Sequence, residues 1–540
     1  YLRTYLVFWS FISVFWALYF TFMVAPRIDV DTYHDGYLYP IALNVSNGLL
    51  PNRDIMSIYG PITPILQGLW LKVSDQSLYL LRVHGALIVF LIAYLIFIIQ
   101  KKYLSFPVAL LSSAWWLLSN PLLMHPSLPW PDLYLTLIIV LVLLLVNLDR
   151  FSKSRKPFYI GFLMASGTLI KVNFSLTLIG LIIYLVLTKQ VDFFKKYALG
   201  ISIFLIPSVF VMWSVGSLNS YIQQTLIYPW VMHDVNKPIR GLVNLKVVLF
   251  GVLILLTVML IKRINFFRFK YSQSMIITIS LFMSFLMIGI AFEFRDLGTP
   301  FVSLNGSLES NLLNFFKNSP YGVLFGILLI LFVLNYLSRK QKKLTCEEKF
   351  QSSLSMIFMV QLYPNPEPAH IWYVIPVVLV GIAILIAKFF DEVNLYSIVA
   401  LVMVPTIASV YLISVQVAKQ PRISYAEAPI TGMLGNENSV NRIDNTLREL
   451  RVTLNGDSFQ NNCTRGLYSV PGNFYRASDY QHQNLDYKFF LPKKESKFIF
   501  ECDIPESRMV FLSKNFTLAF AIPGELPGQL NVCLLYTSPS

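Results

Sequence analysis

Long apolar runs with very few charges dominate the sequence and constrain its fold more than any other feature. Such runs recur near 5–25, 79–100, 106–123, 132–148, 197–215, 246–261, 274–292, 321–337, 371–388 and 395–416. An apolar helix of about 20 residues crosses the hydrocarbon core of a bilayer. Over the 540 residues, 55% are hydrophobic and 13% are charged, against about 25% charged in soluble domains. The sequence therefore predicts an α-helical polytopic membrane protein and excludes an ordinary soluble domain.

Two further stretches bring the expected number of membrane segments to about 13. Residues 158–188 fit one long helix or two short ones that meet at Lys171, and 350–362 form a short apolar run. With a cytoplasmic N-terminus and a hairpin at 158–188, the Lys and Arg clusters at 150–156 and 262–270 fall in cytoplasmic loops, where membrane proteins carry such an excess. The charge pattern favours the hairpin, and it explains the net charge of +14 without a nucleic-acid partner.

The same alternation of sides divides the chain into two domains. We expect residues 1–416 to form the transmembrane domain, with a first outside loop at 26–78, and the more polar residues 417–532 to form a small extracytoplasmic α/β domain. Residues 533–540 resemble a translated sequencing adapter. We expect that octapeptide to be an artefact and both ends of the chain to be truncated.

The C-terminal domain is predicted from short local patterns. A helical stretch lies near 439–453, and strand-like runs lie at 466–470, 497–502 and 509–512,. Cys463 and Cys502 both fall in this domain. They form a disulfide in an oxidising compartment or remain two free thiols, and the sequence leaves both alternatives open.

Acidic residues follow directly after the first membrane helix. Asp29, Asp31, His34 and Asp35 lie close together there, and in a helix the last three share one face,. Such a cluster at the membrane surface suits a general base or a set of metal ligands, and it equally suits a solvated acidic loop. From this pattern we do not predict a bound metal or any other cofactor. Further along the loop, 37–50 and 62–71 are predicted to be helices lying in the membrane interface.

Cations are scarce on the outside face, so each is a candidate for binding an anion or for reaching the lipid headgroups. Those that qualify are Arg27, Arg53, Arg82 just inside the second helix, Lys171 at the apex of the hairpin, Arg240 and Arg295. A second polar cluster lies in a proline-rich turn late in the chain, where Glu367 and His370 are three residues apart. The alternative for that turn is a plain aromatic interface belt.

The order of these features resembles the membrane-embedded GT-C glycosyltransferases, which include protein O-mannosyltransferases and the lipid A aminoarabinose transferase type. The resemblance lies in one membrane helix followed by His34-Asp35-Gly36 and then by interfacial helices around Arg53-Asp54 and Tyr59-Gly60-Pro61. The turn with Glu367 and His370 is similar to the last outside loop of such enzymes. The Asp-Glu doublet typical of their first loop is absent, which leaves the base open among Asp35, Asp31 and Asp29.

The resemblance implies an inverting glycosyltransferase with a polyprenyl-phosphate-linked sugar donor and a glycan, lipid or protein acceptor. Asp35 is the expected base, with Asp31 as its substitute. Expected substrate-binding residues are His34, Arg53, Asp54, Tyr59, Lys171, Arg295, Glu367 and His370. The enzyme is expected in a bacterial inner membrane, with its active site on the periplasmic side.

Two other functions compete with this interpretation. A polytopic transporter or flippase is expected to carry buried charges along a pathway through its helices, whereas here the ionisable residues gather at the outside rim. A polysaccharide polymerase acting on lipid-linked glycans is expected to have its large outside loop late in the chain, with paired arginines. Here 293–320 contains only Arg295 and Lys317 as cations.

Overall fold

A computed structural model describes residues 1–28, 35–55, 57–74, 77–123, 129–148, 154–227, 344–362, 368–388 and 392–419, parts of 274–285, and short pieces between 421 and 476. The helices in these ranges are α1 (Leu2–Tyr19, continued by a π-helical turn at Phe20–Val24), α2 (Asp35–Ser46), α3 (Ile62–Val73), α4 (Leu78–Gln100), α5 (Phe106–Leu123), α6 (Pro131–Asn147), α7 (Lys156–Thr168), α8 (Phe174–Leu187), α9 (Val191–Ser214), α10 (Leu218–Ile222, continued by a π-helical turn at Gln223–Ile227), α11 (Cys346–Phe358, continued by a 3₁₀ turn at Met359–Leu362), α12 (Pro368–Ile386) and α13 (Glu392–Lys419).

The described part of the chain is a helical membrane protein. Leu2–Val24, Leu78–Gln100 and Val191–Ser214 are each long and apolar enough to cross a bilayer,. Most of the predicted apolar runs coincide with helices to within a few residues. The runs at 246–261 and 321–337, which count toward the expected number of about 13 segments, lie outside the described residues.

The predicted hairpin at 158–188 is confirmed. Helix α7 ends at Thr168 and α8 begins at Phe174, with Lys171 in the turn between them. The two predicted interfacial segments also form helices, α2 and α3, which pack against each other because Gly68 lets the backbone of α3 approach Val45.

Helix α12 lies in the core, and a proline within it frees a backbone carbonyl that binds a neighbouring helix. Pro376 has no N–H group, so the Trp372 carbonyl four residues earlier loses its usual helical partner,. The Trp116 indole on α5 donates to that carbonyl at 3.0 Å, and the two indole rings stack with centroids 4.7 Å apart. Thr136 on α6 donates to the next carbonyl, that of Tyr373, at 2.7 Å. Helix α12 is therefore fastened to α5 and α6 near its N-terminus.

Beyond α13 the described elements are short. Strands β1 (Ile423–Ser424) and β2 (Leu434–Gly435) pair antiparallel, and β3 (Gln460–Asn461) and β4 (Tyr475–Arg476) pair parallel. The backbone N–H of Leu434 donates to the carbonyl of Arg27, which joins β2 to the end of the first helix. The predicted strand runs, Cys463 and Cys502 lie outside the described residues, as does most of the predicted helix at 439–453.

Candidate active site

Two ends of the helix bundle are named here after the predicted orientation. The outer end holds the N-termini of α4, α6 and α12 and the turn between α7 and α8. The inner end holds the C-termini of α4, α6 and α12 and the N-terminus of α11. The predicted substrate-binding residues that the structure describes lie at the outer end.

The first feature of the outer end is a buried ion pair between Asp35 and Arg82. Asp35 is the first residue of α2, where a carboxylate suits the positive end of the helix dipole,. Arg82 Nη2 donates to Asp35 Oδ2 at 2.5 Å, and its Nε donates to Oδ1 at 3.3 Å. The side chains are 1% and 0% exposed. Arg82 Nη1 also donates to the carbonyl of Ile28 at 2.7 Å, so one guanidinium joins the end of the first helix to the start of α2.

The second feature is a cluster around Asp132, in the first turn of α6. Lys171 Nζ lies 2.9 Å from each carboxylate oxygen of Asp132. His370, near the N-terminus of α12, places Nε2 3.9 Å from Asp132 Oδ2. The Asp132 side chain is 5% exposed, whereas those of Lys171 and His370 are 15% and 22% exposed. The carboxylate is therefore enclosed, and the two cationic or proton-carrying groups beside it border the surface.

The first outside loop completes this cluster. The backbone N–H of Gly60 donates to the carbonyl of Ile170 at 3.0 Å, and a Cβ on Gly60 would lie 1.9 Å from the carbonyl oxygen of Leu169. Only glycine permits this approach. The approach places the Tyr59 ring 5.9 Å from Lys171 Nζ, within the range of a cation–π contact,.

A hydrogen bond between α4 and α6 brings the two features to the same end of the bundle. His84 Nε2 and the Tyr134 hydroxyl are 2.9 Å apart. His84 follows Arg82 by two residues, and Tyr134 follows Asp132 by two. The hydroxyl of Tyr373, one turn after His370, is buried without a hydrogen-bond partner. This hydroxyl is therefore a buried polar group near the Asp132 cluster whose hydrogen-bonding capacity is unused.

Arg53 and Asp54 form a separate, partly exposed pair in the same loop. Arg53 Nη2 lies 2.7 Å from Asp54 Oδ2, with side-chain exposures of 43% and 25%. The hydrogen bond from Arg53 lowers the pKa of Asp54; partial burial opposes this shift, and the backbone N–H of Leu50 adds to it. Because this pair is open to solvent, its expected role in substrate binding rests on position alone.

The structure thus brings together three of the predicted residues, Tyr59, Lys171 and His370. It places Asp35 in a closed ion pair with Arg82. The predicted residues that lie outside the described ranges are Asp31, His34, Arg295 and Glu367. Within those ranges no group of three or more His, Cys, Asp or Glu side chains is arranged to hold a metal ion.

Asp132 was not predicted from the sequence, although a signal for it exists. It is the only Asp, Glu, Lys or Arg between Lys102 and Asp149. An isolated charge at the end of an apolar run needs a partner or water. A search for that partner among the outside cations would have included Lys171.

No family model, no curated protein and no solved structure matches the chain. The chain is therefore characterised by its own structure. Its described part is a helical membrane protein with two buried or partly buried ionic clusters at one end of the helix bundle.

Proposed function

We propose that the chain is an inverting glycosyltransferase that moves a sugar from a polyprenyl-phosphate-linked donor to an acceptor on the outer side of the membrane. The proposal rests on one observation, the positions of the buried charged side chains. The charged side chains that are buried within the described ranges are Asp35, Arg82 and Asp132 at the outer end, Lys156 and Glu348 at the inner end, and Asp444 in the tail. The described middle of the bundle has none, which disfavours a transport pathway.

The outer end offers the groups that such a transfer needs. A carboxylate accepts the proton of the acceptor hydroxyl while that oxygen attacks the anomeric carbon of the donor. The bond from the anomeric carbon to the phosphate oxygen breaks, and its electron pair leaves with the polyprenyl phosphate. General-base assistance contributes about 10²–10⁴-fold. A cation beside the phosphate stabilises the charge that develops there.

Asp35 is the proposed base, and its ion pair imposes a condition on the reaction. While both oxygens are held by Arg82 in a fully buried site, no acceptor hydroxyl reaches them. The pair must therefore open when substrates bind. The donor phosphate is an anion that can take over the guanidinium donors of Arg82 and so release the carboxylate.

Lys171 and His370 are the proposed phosphate-side groups of the second cluster. Both border the surface, and both lie against a carboxylate that holds Lys171 in place before any ligand arrives. Tyr59 adds an aromatic face beside the ammonium group, and aromatic side chains of this kind also suit the apolar face of a sugar ring.

Native mass spectrometry of the full chain, followed by a transfer assay with polyprenyl-phosphate sugars in proteoliposomes, tests the proposal. Co-purified polyprenyl phosphate and transfer of a labelled sugar are expected. Asp35→Asn is expected to abolish transfer and to retain donor binding, whereas His370→Ala is expected to weaken donor binding. Lys72→Gln, an exposed change in the same loop at a residue outside the proposed site, is the matched control and should change transfer little. Full transfer by Asp35→Asn would remove Asp35 from the mechanism. Failure to bind any polyprenyl phosphate would overturn the whole proposal.

A further inference from the structure

An apolar cleft opens between α6 and α7 toward the inner end of the bundle. Its volume is about 450 Å³. Leucines from the last two turns of α6 and Leu148 just after them line one wall, and residues from the first two turns of α7 line the other. The lining side chains are Leu141, Leu144, Leu145 and Leu148 with Tyr159, Phe162 and Leu163. The cleft is thus a hydrocarbon-lined slot that runs along two helices.

The packing of α7 explains why the slot exists. Helix α7 lies in close backbone contact with α9, because Gly161 and Gly200 have no side chains at the crossing. A Cβ on Gly161 would lie 2.1 Å from the carbonyl oxygen of Tyr197, and one on Gly200 would lie 2.0 Å from that of Phe158. Since α7 is drawn against α9, its other face does not close fully against α6.

The wall of the cleft on α7 is far from buried. Tyr159 is 40% exposed and Phe162 is 38% exposed. An aqueous cleft with this lining would be unfavourable by about 25 cal/mol for each Å² of apolar surface left in water. In a membrane protein such a surface is suited to lipid chains.

Positive charge lies where the cleft reaches the inner end. Arg155 is exposed at the N-cap of α7, and Lys156 is the first residue of that helix. In the sequence, Arg150 and Lys153 also lie between α6 and α7, with Asp149 as the one acidic residue there. The ammonium group of Lys156 already has a hydrogen-bond partner within the protein, because its Nζ donates to the carbonyl of Val146 at 2.8 Å. Arg155 is therefore the described cation best placed to meet an anionic headgroup.

We propose that this cleft binds one acyl chain of an anionic phospholipid of the inner leaflet, with the lipid phosphate at Arg155. The apolar walls take the chain, and Arg155 selects the headgroup, as basic side chains in pockets between membrane helices do. This lipid site lies at the end of the bundle opposite the proposed active site and does not depend on the proposed function.

The test uses the full chain reconstituted with equal amounts of phosphatidylglycerol and phosphatidylcholine, then extracted and examined by native mass spectrometry. One retained phosphatidylglycerol per chain is expected. Leu144→Trp, which fills the cleft, should release it. Arg155→Glu, an exposed change that leaves the core untouched, should abolish the preference for phosphatidylglycerol over phosphatidylcholine.

Two matched variants control for general effects on lipid binding. Leu199→Trp alters an exposed apolar residue of α9, and Lys196→Glu removes an exposed inner-end charge from the same helix. Both should retain phosphatidylglycerol. Equal retention of the two lipids by the unaltered chain, or equal losses in the test and control variants, would overturn the proposal. Retention of polyprenyl phosphate in place of phosphatidylglycerol, lost in Leu144→Trp, would also overturn it by naming a different occupant.

Discussion

The two ends of the bundle differ in how completely they enclose their ion pairs. At the inner end, Tyr103, Asn147 and Gln351 form a closed triangle of neutral side chains: Tyr103 donates to Asn147 at 3.0 Å, Asn147 donates to Gln351 at 2.9 Å, and Gln351 donates back to Tyr103 at 3.3 Å. The ion pair there, Lys388 with Glu348 at 2.9 Å, remains partly exposed. At the outer end, by contrast, the pair of Arg82 and Asp35 is enclosed completely.

This difference indicates which end of the bundle is arranged for stability and which for function. A satisfied neutral network joins helices without removing a charge from water. A buried ion pair loses the hydration of two charges, and replacing such a pair by apolar residues is often neutral or stabilising. The outer end therefore has an arrangement that stability alone does not require. This favours the outer end as the working end of the protein.

Breaking the fully buried pair is expected to have the largest effect. Arg82→Met removes the guanidinium that pairs with the buried Asp35 carboxylate, and we expect a loss of about 3–5 kcal/mol in the free energy of unfolding. The double variant Arg82→Met/Asp35→Leu should recover most of that loss, because neither charge remains. Equilibrium unfolding of the reconstituted protein measures both values. A single variant as stable as the unaltered chain would show that the pair is open to water.

The Asp132 cluster is expected to be less sensitive because its cation borders the surface. Lys171→Met should cost about 1–3 kcal/mol, which is the usual penalty for leaving a buried polar group unsatisfied. His370→Ala, at 3.9 Å from the same carboxylate, serves as the comparison and should cost less. An equal loss in the two variants would mean that His370 is charged and shares the role of Lys171.

The helices could be predicted well from the sequence, whereas the ion pairs between side chains could not, and the reason is physical. Helix bounds follow from local periodicity and hydropathy, so α5 matches its predicted range of 106–123, and charge alternation resolved the hairpin around Lys171. The pairing of Asp35 with Arg82 joins residues 47 positions apart, and that of Asp132 with Lys171 joins residues 39 apart. Tertiary packing determines these contacts, and no local pattern encodes them.

At the inner end we expect a much smaller effect from removing a charge. Glu348 caps α11 by accepting from the backbone N–H of Thr345 at 2.8 Å, and glutamine can keep that capping contact. Glu348→Gln therefore removes only the ion pair with Lys388, which should cost about 0–1 kcal/mol. Thr345→Ala, which removes the reciprocal cap, should cost more, about 0.5–2 kcal/mol. If Glu348→Gln matched the loss in Arg82→Met, the contrast between the two ends would fail.

The smallest expected effect comes from Asp54, which shares the outer end with Asp35 but is partly exposed. Because Arg53 lowers the pKa of Asp54 below its unfolded value, the pair stabilises the fold above the unfolded value of about 3.9. That contribution is lost as the pH falls through the folded pKa.

Thermal unfolding followed from about pH 5 downward should show a slightly shallower decline in Asp54→Asn than in the unaltered chain, and high salt should remove the difference, since exposed pairs are screened. A large, salt-resistant difference would place Asp54 in a buried environment like that of Asp35. A small one would show that enclosure of the charge, and not its position at the outer end, separates the two carboxylates.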